Sequence, residues 1–332
     1  MIPKRICVAA GAAIALLFAS SASSWGRDGH RLVARLAVGS LPPDMPRFFT
    51  DAAAELEFLN PEPDAWRDRV EQGLGTALSS GHDPDHIFKF ELYSPATLPP
   101  DRYSFIETLT REGRSVRLVG MLPYRSMELF QRMRVSWRRW RQTTDPTERR
   151  SLEVRIVQDA GLLGHYIADS AQPNHMSVNR NGWELPKNPR GYTTDNTLHH
   201  RFESQFVTAH IVTGHVKPLV RATTVVDDGL SFIYAHMRRS YDRITDLYEL
   251  ELKQPFGAEK ASPEAIRFVA TRLADATSTL RDLWYTAYAT SAASEPAPEA
   301  YRDADAAQTP TSVCSASVVK PGDMSHAASP RH

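Results

Sequence analysis

The chain has 332 residues, of which 42% are apolar, and its 39 basic and 39 acidic side chains give a formal net charge of zero. This composition is typical of a globular protein with enough apolar material for a core, and it excludes a wholly disordered chain. A net charge of zero supplies no general attraction to nucleic acid, so any binding of nucleic acid has to depend on a local site.

The first 24 residues have the pattern of a secretory signal peptide. Lys4 and Arg5 precede an apolar run at residues 6–18, and small residues follow up to Ser24. The apolar run is too short to cross a bilayer as a helix. We therefore predict cleavage directly before Trp25, export to the periplasm or the medium, and no transmembrane segment.

The two cysteines do not predict a disulfide. Cys7 lies in the predicted signal peptide, and Cys314 lies in a polar C-terminal stretch. The processed chain therefore has no pair of cysteines for an intramolecular bond. Its stability has to come from the core or from bound metal.

Between residue 25 and about residue 292, apolar residues recur at three- and four-residue spacing, and alternating β-branched runs are scarce. This spacing predicts α-helices. The clearest examples are HRLVARLAVGSL, RSMELFQRMRVSWRRW, EVRIVQDAGLLGHYIAD, LSFIYAHMRRSYDRITDLYELEL and EAIRFVATRLADATSTLRDLWYTAY. We therefore predict a single all-α domain of roughly eight helices at residues 25–292.

Local signals place the ends of the third of these helices and of the domain. Asp145 and Pro146 are an N-cap and a first-turn proline, and Pro173 predicts the end of the helix. Residues 174–195 are rich in Asn, Gly and Pro and predict a loop. Ala, Pro, Ser and Thr dominate residues 293–332, which we predict to be a disordered tail.

The stretch HYIADSAQPNH, residues 165–175, has the spacing of a metal site. His165 and Asp169 are four residues apart on a predicted helix, so their side chains leave the same face and could bind one ion. Pro173 breaks the helix, which would turn His175 toward a different ion. A single pair of this kind is more often a hydrogen-bonded histidine than a metal ligand.

A second pair with the same spacing follows the loop, in TLHHRFESQF. His199 and Glu203 are four residues apart on the next predicted helix, whereas His200 has Ser204 at that offset, so His199 is the better candidate. His175, His199 and Glu203 would form a set of two histidines and one carboxylate, which leaves zinc an open position for water or substrate. The two pairs with His175 between them favour a metal cluster over isolated histidines.

These motifs resemble a known superfamily. The run HxxxDxxxxxH followed by LHxxxE is similar to the superfamily that joins the bacterial zinc-dependent phospholipases C with the single-strand-specific zinc nucleases of fungi and plants. The stretch WGRDGHRLVARLA resembles the WGxxGH opening of the nuclease branch. In that superfamily the first residue of the processed chain is a tryptophan whose amino group and carbonyl oxygen bind zinc. The resemblance implies the same role for Trp25.

The resemblance also implies three zinc ions in one all-α domain. The first ion would be bound by Asp64, His86, His165 and Asp169. The second ion, close by, would be bound by the Trp25 backbone and His30, with Asp169 bridging the two ions. The third ion would be bound by His175, His199 and Glu203.

The region around Asp64 and His86 leaves alternatives open. These two residues are 22 positions apart, a longer separation than is usual in the superfamily. The nearby alternatives are Asp68, His82, Asp83 and Asp85. Arg67 lies three residues after Asp64 and could stabilise charge on transition-state oxygens. An exposed, solvated arginine is the other interpretation of Arg67.

The implied chemistry is hydrolysis of phosphate esters. Zinc lowers the pKa of bound water from near 16 to roughly 7, which supplies hydroxide at neutral pH. Two ions that share Asp169 would hold this hydroxide, and the third ion would stabilise the leaving oxygen. We therefore expect a phosphodiesterase in which Asp64 and Arg67 have catalytic roles.

The sequence has features of two branches of the superfamily, which act on different substrates. The short Trp25-to-His30 opening favours a nuclease for single-stranded nucleic acid, whereas Glu203 in HHRFE is more similar to the phospholipase C branch. Recognition of single strands relies on bases that stack on aromatic rings. Ile87 stands where nucleases often carry such a ring.

Three other aromatic residues could replace this ring, namely Phe88, Trp183 and Tyr192. We therefore expect a nuclease, with phospholipase C as the alternative. A secreted metal-binding protein without turnover is the third hypothesis. Nothing in the sequence indicates a protein partner.

Overall fold

The structure, a computed structural model, describes residues 25–75 and 81–292. Within these ranges every regular element is a helix and no β-strand occurs, which confirms the predicted all-α class. The predicted signal peptide and the predicted tail lie outside the described residues. No helix in the described ranges is both long enough and apolar enough to cross a membrane.

Seven helices of ten or more residues form the frame of the described chain. They are α1 (Gly26–Val38), α2 (Arg102–Arg111), α3 (Leu122–Gln142), α4 (Pro146–Ser170), α5 (Gly229–Tyr241), α6 (Ile244–Lys253) and α7 (Pro263–Ala289). Shorter α-helical segments are Arg47–Asp51, Ala53–Leu59, Glu62–Ala65, Arg69–Gly73, Val116–Val119, Leu198–His200, Val207–His210 and Thr213–Val216. The 3₁₀ turns are Asp83–His86, Pro173–Met176, Lys217–Leu219 and Thr290–Ala292, and Arg201–Phe206 is a π-helix.

The five periodic stretches correspond to the long helices α1, α3, α4, α5 with α6, and α7. The fourth stretch is two helices, because α5 ends at Tyr241 and α6 begins at Ile244. The signals at the ends of α4 act as predicted. The Asp145 side chain accepts hydrogen bonds from Thr147 N at 2.8 Å and Glu148 N at 3.4 Å. The helix ends at Ser170, before Pro173.

Helix α4 is the central element of the core. It packs against α1, α3 and α7, and nearly every residue in its second half is buried. Two fully buried tryptophans, one directly before α1 and one in α7, donate hydrogen bonds to its backbone. Trp25 Nε1 donates to Ala168 O at 2.7 Å, and Trp284 Nε1 donates to Ala160 O at 3.1 Å. The helix therefore carries His165 and Asp169 into the interior, and Trp25 is tied to it beside them.

A glycine on α4 allows a close approach that shapes the site. A Cβ at Gly164 would lie 2.3 Å from Asn60 Nδ2, which is closer than real Cβ atoms come to other heavy atoms. Asn60 follows the helix Ala53–Leu59 and is itself fully buried. The absence of a side chain at position 164 therefore lets Asn60 reach the ring of His165.

Candidate metal centre

The fold brings all eight predicted side-chain ligands into three adjoining groups. The groups are His30 with His165 and Asp169, Asp64 with His86 and His165, and His175 with His199 and Glu203. Within each group the potential ligand atoms lie within 4.8 Å of one another. Seven of these side chains are buried and Asp64 is partly buried. The residues come from segments that are distant in sequence, so the tertiary fold creates the cluster.

The distances around Asp169 are those of atoms that could share a cation. Asp169 Oδ2 lies 2.9 Å from His86 Nδ1 and 3.3 Å from His165 Nε2. Asp64 Oδ1 lies 3.9 Å from that His86 atom and 3.8 Å from that His165 atom. Ligand atoms in a tetrahedral zinc site with bonds of about 2.0–2.2 Å are roughly 3.3–3.6 Å apart. The observed distances bracket this separation.

The second oxygen of Asp169 faces another histidine. Asp169 Oδ1 lies 3.5 Å from His30 Nε2, whereas Oδ2 faces His86 and His165. The rings of His30 and His165 stack with centroids 4.3 Å apart. One carboxylate therefore presents its two oxygens to two different sets of nitrogen atoms, which is the arrangement of a bridging ligand.

The third group uses a different local structure from the one predicted. His199 Nε2 lies 2.6 Å from Glu203 Oε2 and 3.0 Å from His175 Nε2. The sequence predicted an α-helix through His199 and Glu203, but the chain forms a π-helix at Arg201–Phe206. The π-helix has a wider turn than an α-helix and is common at functional sites. His175 comes from the 3₁₀ turn that begins at Pro173.

Hydrogen bonds fix the orientation of three of these imidazoles. His30 Nδ1 lies 2.7 Å from Asn60 Oδ1, His165 Nδ1 lies 2.8 Å from Asn60 O, and His175 Nδ1 lies 2.6 Å from His86 O. Because a carbonyl oxygen only accepts, each Nδ1 carries the proton. The three Nε2 lone pairs therefore point into the cluster, as they do in metal-binding histidines with a carbonyl partner.

The other two histidines have different surroundings. His86 faces the cluster through Nδ1, and its buried Nε2 has no hydrogen-bond partner among the described residues. His199 Nδ1 has two neighbours, Asn181 Oδ1 at 3.2 Å and the Arg180 Nε at 3.3 Å. Asn181 Oδ1 can only accept a hydrogen bond, and Arg180 Nε can only donate one. The protonation state of Nδ1 therefore decides which contact is favourable.

Trp25 lies at the edge of the third group. Its backbone N–H donates to Glu203 Oε2 at 3.2 Å, and its side chain is fully buried. Trp25 and Gly26 both have positive φ, 47° and 49°. The resemblance pairs the Trp25 backbone with His30. In the structure the Trp25 nitrogen contacts Glu203, and His30 forms its group with His165 and Asp169.

Burial changes the proton affinity of the cluster. It lowers the pKa of His86 to about 4 and that of His175 to about 3. Burial, together with the charge of Asp64, raises the pKa of Glu203 well above its usual value. Burial would also raise the pKa of Asp169, but the charges of His165 and His175 outweigh it and hold that pKa well below the usual range.

Two carboxylates of the cluster are incompletely satisfied. Asp64 Oδ2 and Glu203 Oε1 are buried and have no hydrogen-bond partner within the described part of the chain. A buried carboxylate oxygen without a partner is costly. A divalent cation in these groups would supply both the missing contact and the missing positive charge. The residues present therefore fit a metal ion.

The structure distinguishes Asp64 and His86 from their neighbours. None of Asp68, His82, Asp83 and Asp85 joins a ligand group in the searched part of the chain. Asp68 accepts from Val70 N at 2.8 Å, which caps the next short helix. Arg67 donates to Asp64, and its side chain is only 13% exposed. Arg67 is therefore part of the site rather than a solvated surface arginine.

The three aromatic residues that could have stacked a base are largely engaged elsewhere. Phe88 and Tyr192 are buried. Trp183 packs against Tyr192 and Tyr248, with ring centroids 4.7 Å and 5.2 Å away. Trp66, next to Arg67, is a half-buried ring that packs against His82 at 5.2 Å.

Sequence analysis missed the residues that support the ligands. Asn60 orients two histidines, Asn181 and Arg180 contact His199, and Gln172 Nε2 lies 3.4 Å from Glu203 Oε2. Gln172 lies within the HxxxDxxxxxH run and Arg180 lies five residues after it, so proximity was an available signal for them. Asn60 is close to Asp64 in sequence, but the histidines that it orients, His30 and His165, are 30 and 105 positions away.

Comparisons with known proteins add no family assignment. No family model matches the chain, and no curated protein matches it significantly. The resemblance to zinc phosphoesterases therefore stays a prediction from the sequence motifs.

Proposed function

We propose that this chain is a zinc-dependent phosphodiesterase of the phospholipase C and zinc nuclease superfamily, with single-stranded nucleic acid as its substrate. One observation carries the proposal. Histidine nitrogens and carboxylate oxygens from distant segments converge in three adjoining groups, two of which share His165. Isolated histidines that are hydrogen-bonded for structural reasons do not require this convergence.

The donor set favours zinc. The three groups consist of imidazoles and carboxylates, and imidazole suits zinc better than magnesium or calcium, which prefer oxygen ligands. Three ions would be held by the three groups, with the Trp25 backbone nitrogen beside Glu203 as a further donor. Bound zinc would supply hydroxide from water at neutral pH and polarise a phosphoryl oxygen.

The chain's own residues would provide orientation and charge. Asn60 and the carbonyl of His86 hold the imidazole protons on Nδ1, which keeps the Nε2 atoms available as ligands. Asp169 offers its two oxygens to different nitrogen atoms. Arg67, fixed by Asp64, would bind negative charge that develops on the phosphoryl oxygens.

Phospholipase C is the second candidate. The glutamate at position 203 favours it, and so does the engagement of Phe88, Trp183 and Tyr192 in packing, which leaves these rings poorly placed to stack a base. A non-catalytic metal-binding protein is the third candidate. It does not account for a third group of two histidines and one carboxylate, which leaves zinc an open position.

A parallel assay separates the three candidates. The processed chain is purified, its zinc content is measured, and single-stranded DNA, RNA and phosphatidylcholine micelles are supplied with and without a chelator. We expect zinc-dependent cleavage of the nucleic acids. Hydrolysis of the lipid alone would transfer the assignment to phospholipase C, and stoichiometric zinc without turnover would support the non-catalytic protein.

Export belongs to the same proposal. Cleavage before Trp25 would free the amino group whose nitrogen lies beside Glu203. Sequencing the amino terminus of the exported protein tests this step. A processed chain that begins at another residue would remove Trp25 from the ligand set. The activity assay would then decide the function of the remaining groups.

A further inference from the structure

Arg180 lies at the outer edge of the third group. It is five residues after His175, in the segment that connects the 3₁₀ turn to Leu198–His200. Its Nε is 3.3 Å from His199 Nδ1, and the opposite side of the same ring faces Glu203 at 2.6 Å. The guanidinium group is therefore separated from the candidate metal position by a single imidazole ring.

Within the described residues, the charge of Arg180 is not neutralised by a direct ion pair. Arg67 contacts Asp64, whereas no carboxylate among the described residues forms an ion pair with Arg180. Burial and the charge of Arg67 both lower the pKa of the Arg180 guanidinium. The carboxylates of Glu203, Asp169 and Asp83 act in the opposite direction. Asp169 and Asp83 also raise the pKa of Arg67, and Arg67 Nη1 lies 3.9 Å from Asp83 Oδ1.

Metal binding would change the contacts of Arg180. A His199 that binds metal through Nε2 carries its proton on Nδ1, and it then donates to Asn181 Oδ1 at 3.2 Å. The N–H of Arg180 would face that N–H, which is unfavourable. The donors of Arg180 would therefore turn to another acceptor.

The charge balance indicates what that acceptor is. The three carboxylates of the cluster outnumber Arg67 and Arg180 by one charge, and each divalent cation adds two positive charges. The loaded site is then strongly positive and attracts an anion. Arginine presents a planar fork of donors that fits phosphate oxygens.

We propose that Arg180 is a further substrate-binding residue, whose guanidinium group, with Arg67, binds the non-bridging oxygens of a phosphoryl group held at the metal centre. This inference rests on the proposed metal centre and assigns its ligand class as phosphate. In this proposal Arg180 binds the ligand and does not serve to orient His199.

Binding of inorganic phosphate to the zinc-loaded protein tests the inference without turnover. Calorimetry compares the wild type with R180M and R180Q, and zinc content is measured on the same samples. We expect both variants to keep their zinc and to bind phosphate roughly 10- to 100-fold more weakly, as expected for loss of a charge-assisted hydrogen bond. R190M is the matched control, because Arg190 lies in the same segment but pairs with Glu249 at 2.8 Å. It should bind phosphate like the wild type.

Several results would overturn the inference. These are unchanged phosphate affinity in R180M or R180Q, loss of zinc from both variants, and a loaded wild type that does not bind phosphate. Loss of zinc would assign Arg180 to the positioning of His199. R180Q keeps a polar side chain but removes the charge, so it gives the same comparison if R180M does not fold. If the protein binds phosphate through Arg180 but cleaves none of the three substrates, this inference holds and the proposed function is wrong.

Discussion

The Nε2 atoms of His175 and His199 face each other at 3.0 Å in the interior of the protein. His175 Nδ1 donates to His86 O at 2.6 Å, so its Nε2 carries no proton. Glu203 Oε2 approaches the same His199 atom at 2.6 Å. When His199 carries its proton on Nδ1, the Nε2 lone pairs of both histidines meet a carboxylate oxygen in a buried place, and these groups repel one another unless a cation lies between them. A divalent cation at this position would account for the contacts of His199 with His175 and Glu203.

Replacing His175 should therefore remove one metal ion. We expect H175A to bind two zinc ions instead of three and to lose turnover more than about 100-fold, since loss of an outer partner alone typically costs 10- to 100-fold. Elemental analysis and the cleavage assay measure the two effects. H210A is the control, because His210 contacts Gly257 O at 3.2 Å and belongs to no ligand group. Three zinc ions in H175A would contradict the assignment.

Asn60 supports two histidines through two different atoms. Its side chain accepts from His30 Nδ1, whereas its backbone carbonyl accepts from His165 Nδ1. N60A removes only the first acceptor, so we expect zinc affinity at the His30 group to fall roughly 10- to 100-fold and the other groups to keep their zinc. A competition titration with a chelator measures the affinities.

The control for this variant is N188A. The side chain of Asn188 makes two hydrogen bonds, and both are to the backbone of Tyr192. In the same chelator titration, N188A should have the zinc affinities of the wild type. Equal zinc affinities in N60A and the wild type would show that the Asn60 side chain does not orient His30.

The order of the long helices and the placement of His165 and Asp169 on one helix face could be predicted from the sequence, because both depend on local spacing. The four-residue interval places His165 and Asp169 on one face of α4, and Pro146 and Pro173 mark the region of its ends. The supporting residues could not be predicted. Asn60 reaches His165 only because Ala53–Leu59 packs closely on α4, and this packing depends on contacts between distant segments.

The π-helix and the break between α5 and α6 could not be predicted for a related reason. Both stretches have apolar spacing that suits a continuous α-helix. The wider turn at Arg201–Phe206 places Phe202 and Phe206 in the core while Glu203 faces His199. Tertiary contacts therefore select the helix type, and local propensity is only a weak guide.

The cap of α5 predicts a pH dependence of stability away from the cluster. The Asp228 side chain accepts from Leu230 N at 3.0 Å and Ser231 N at 3.3 Å. Its hydrogen bonds to the Ser231 side chain and backbone lower the pKa of Asp228 below 3.8. A lowered folded-state pKa means that the stabilisation is present above pH 3.8 and is lost as the pH falls through the folded-state pKa.

D228A should therefore be less stable than the wild type at neutral pH, by about 1 kcal/mol, which is typical of a lost N-cap. The difference should shrink as the pH falls below 3.8, because the wild-type carboxylate becomes protonated. Urea unfolding across this pH range measures the free energy of unfolding. D227A is the matched control, since Asp227 is also exposed but does not cap the helix. If the difference in free energy of unfolding between D228A and the wild type stayed constant across this pH range, the charged cap would not be its cause.

Gly164 links the packing of α4 to the metal centre, and G164A tests this link. Alanine favours a helix over glycine by about 1 kcal/mol. The added Cβ would lie 2.3 Å from Asn60 Nδ2 and 3.2 Å from Leu280 Cδ2, and overpacking of this kind costs about 1–3 kcal/mol. We expect the steric cost to exceed the helical gain, so that G164A unfolds at lower urea concentration. Because the clash moves Asn60, zinc affinity should fall as well. In G214A the new Cβ meets no atom within 4 Å of the described chain, so this control should be at least as stable as the wild type with unchanged zinc affinity. If G164A behaved like G214A in both measurements, the close approach of Asn60 to α4 would not be what holds His30 and His165 in place.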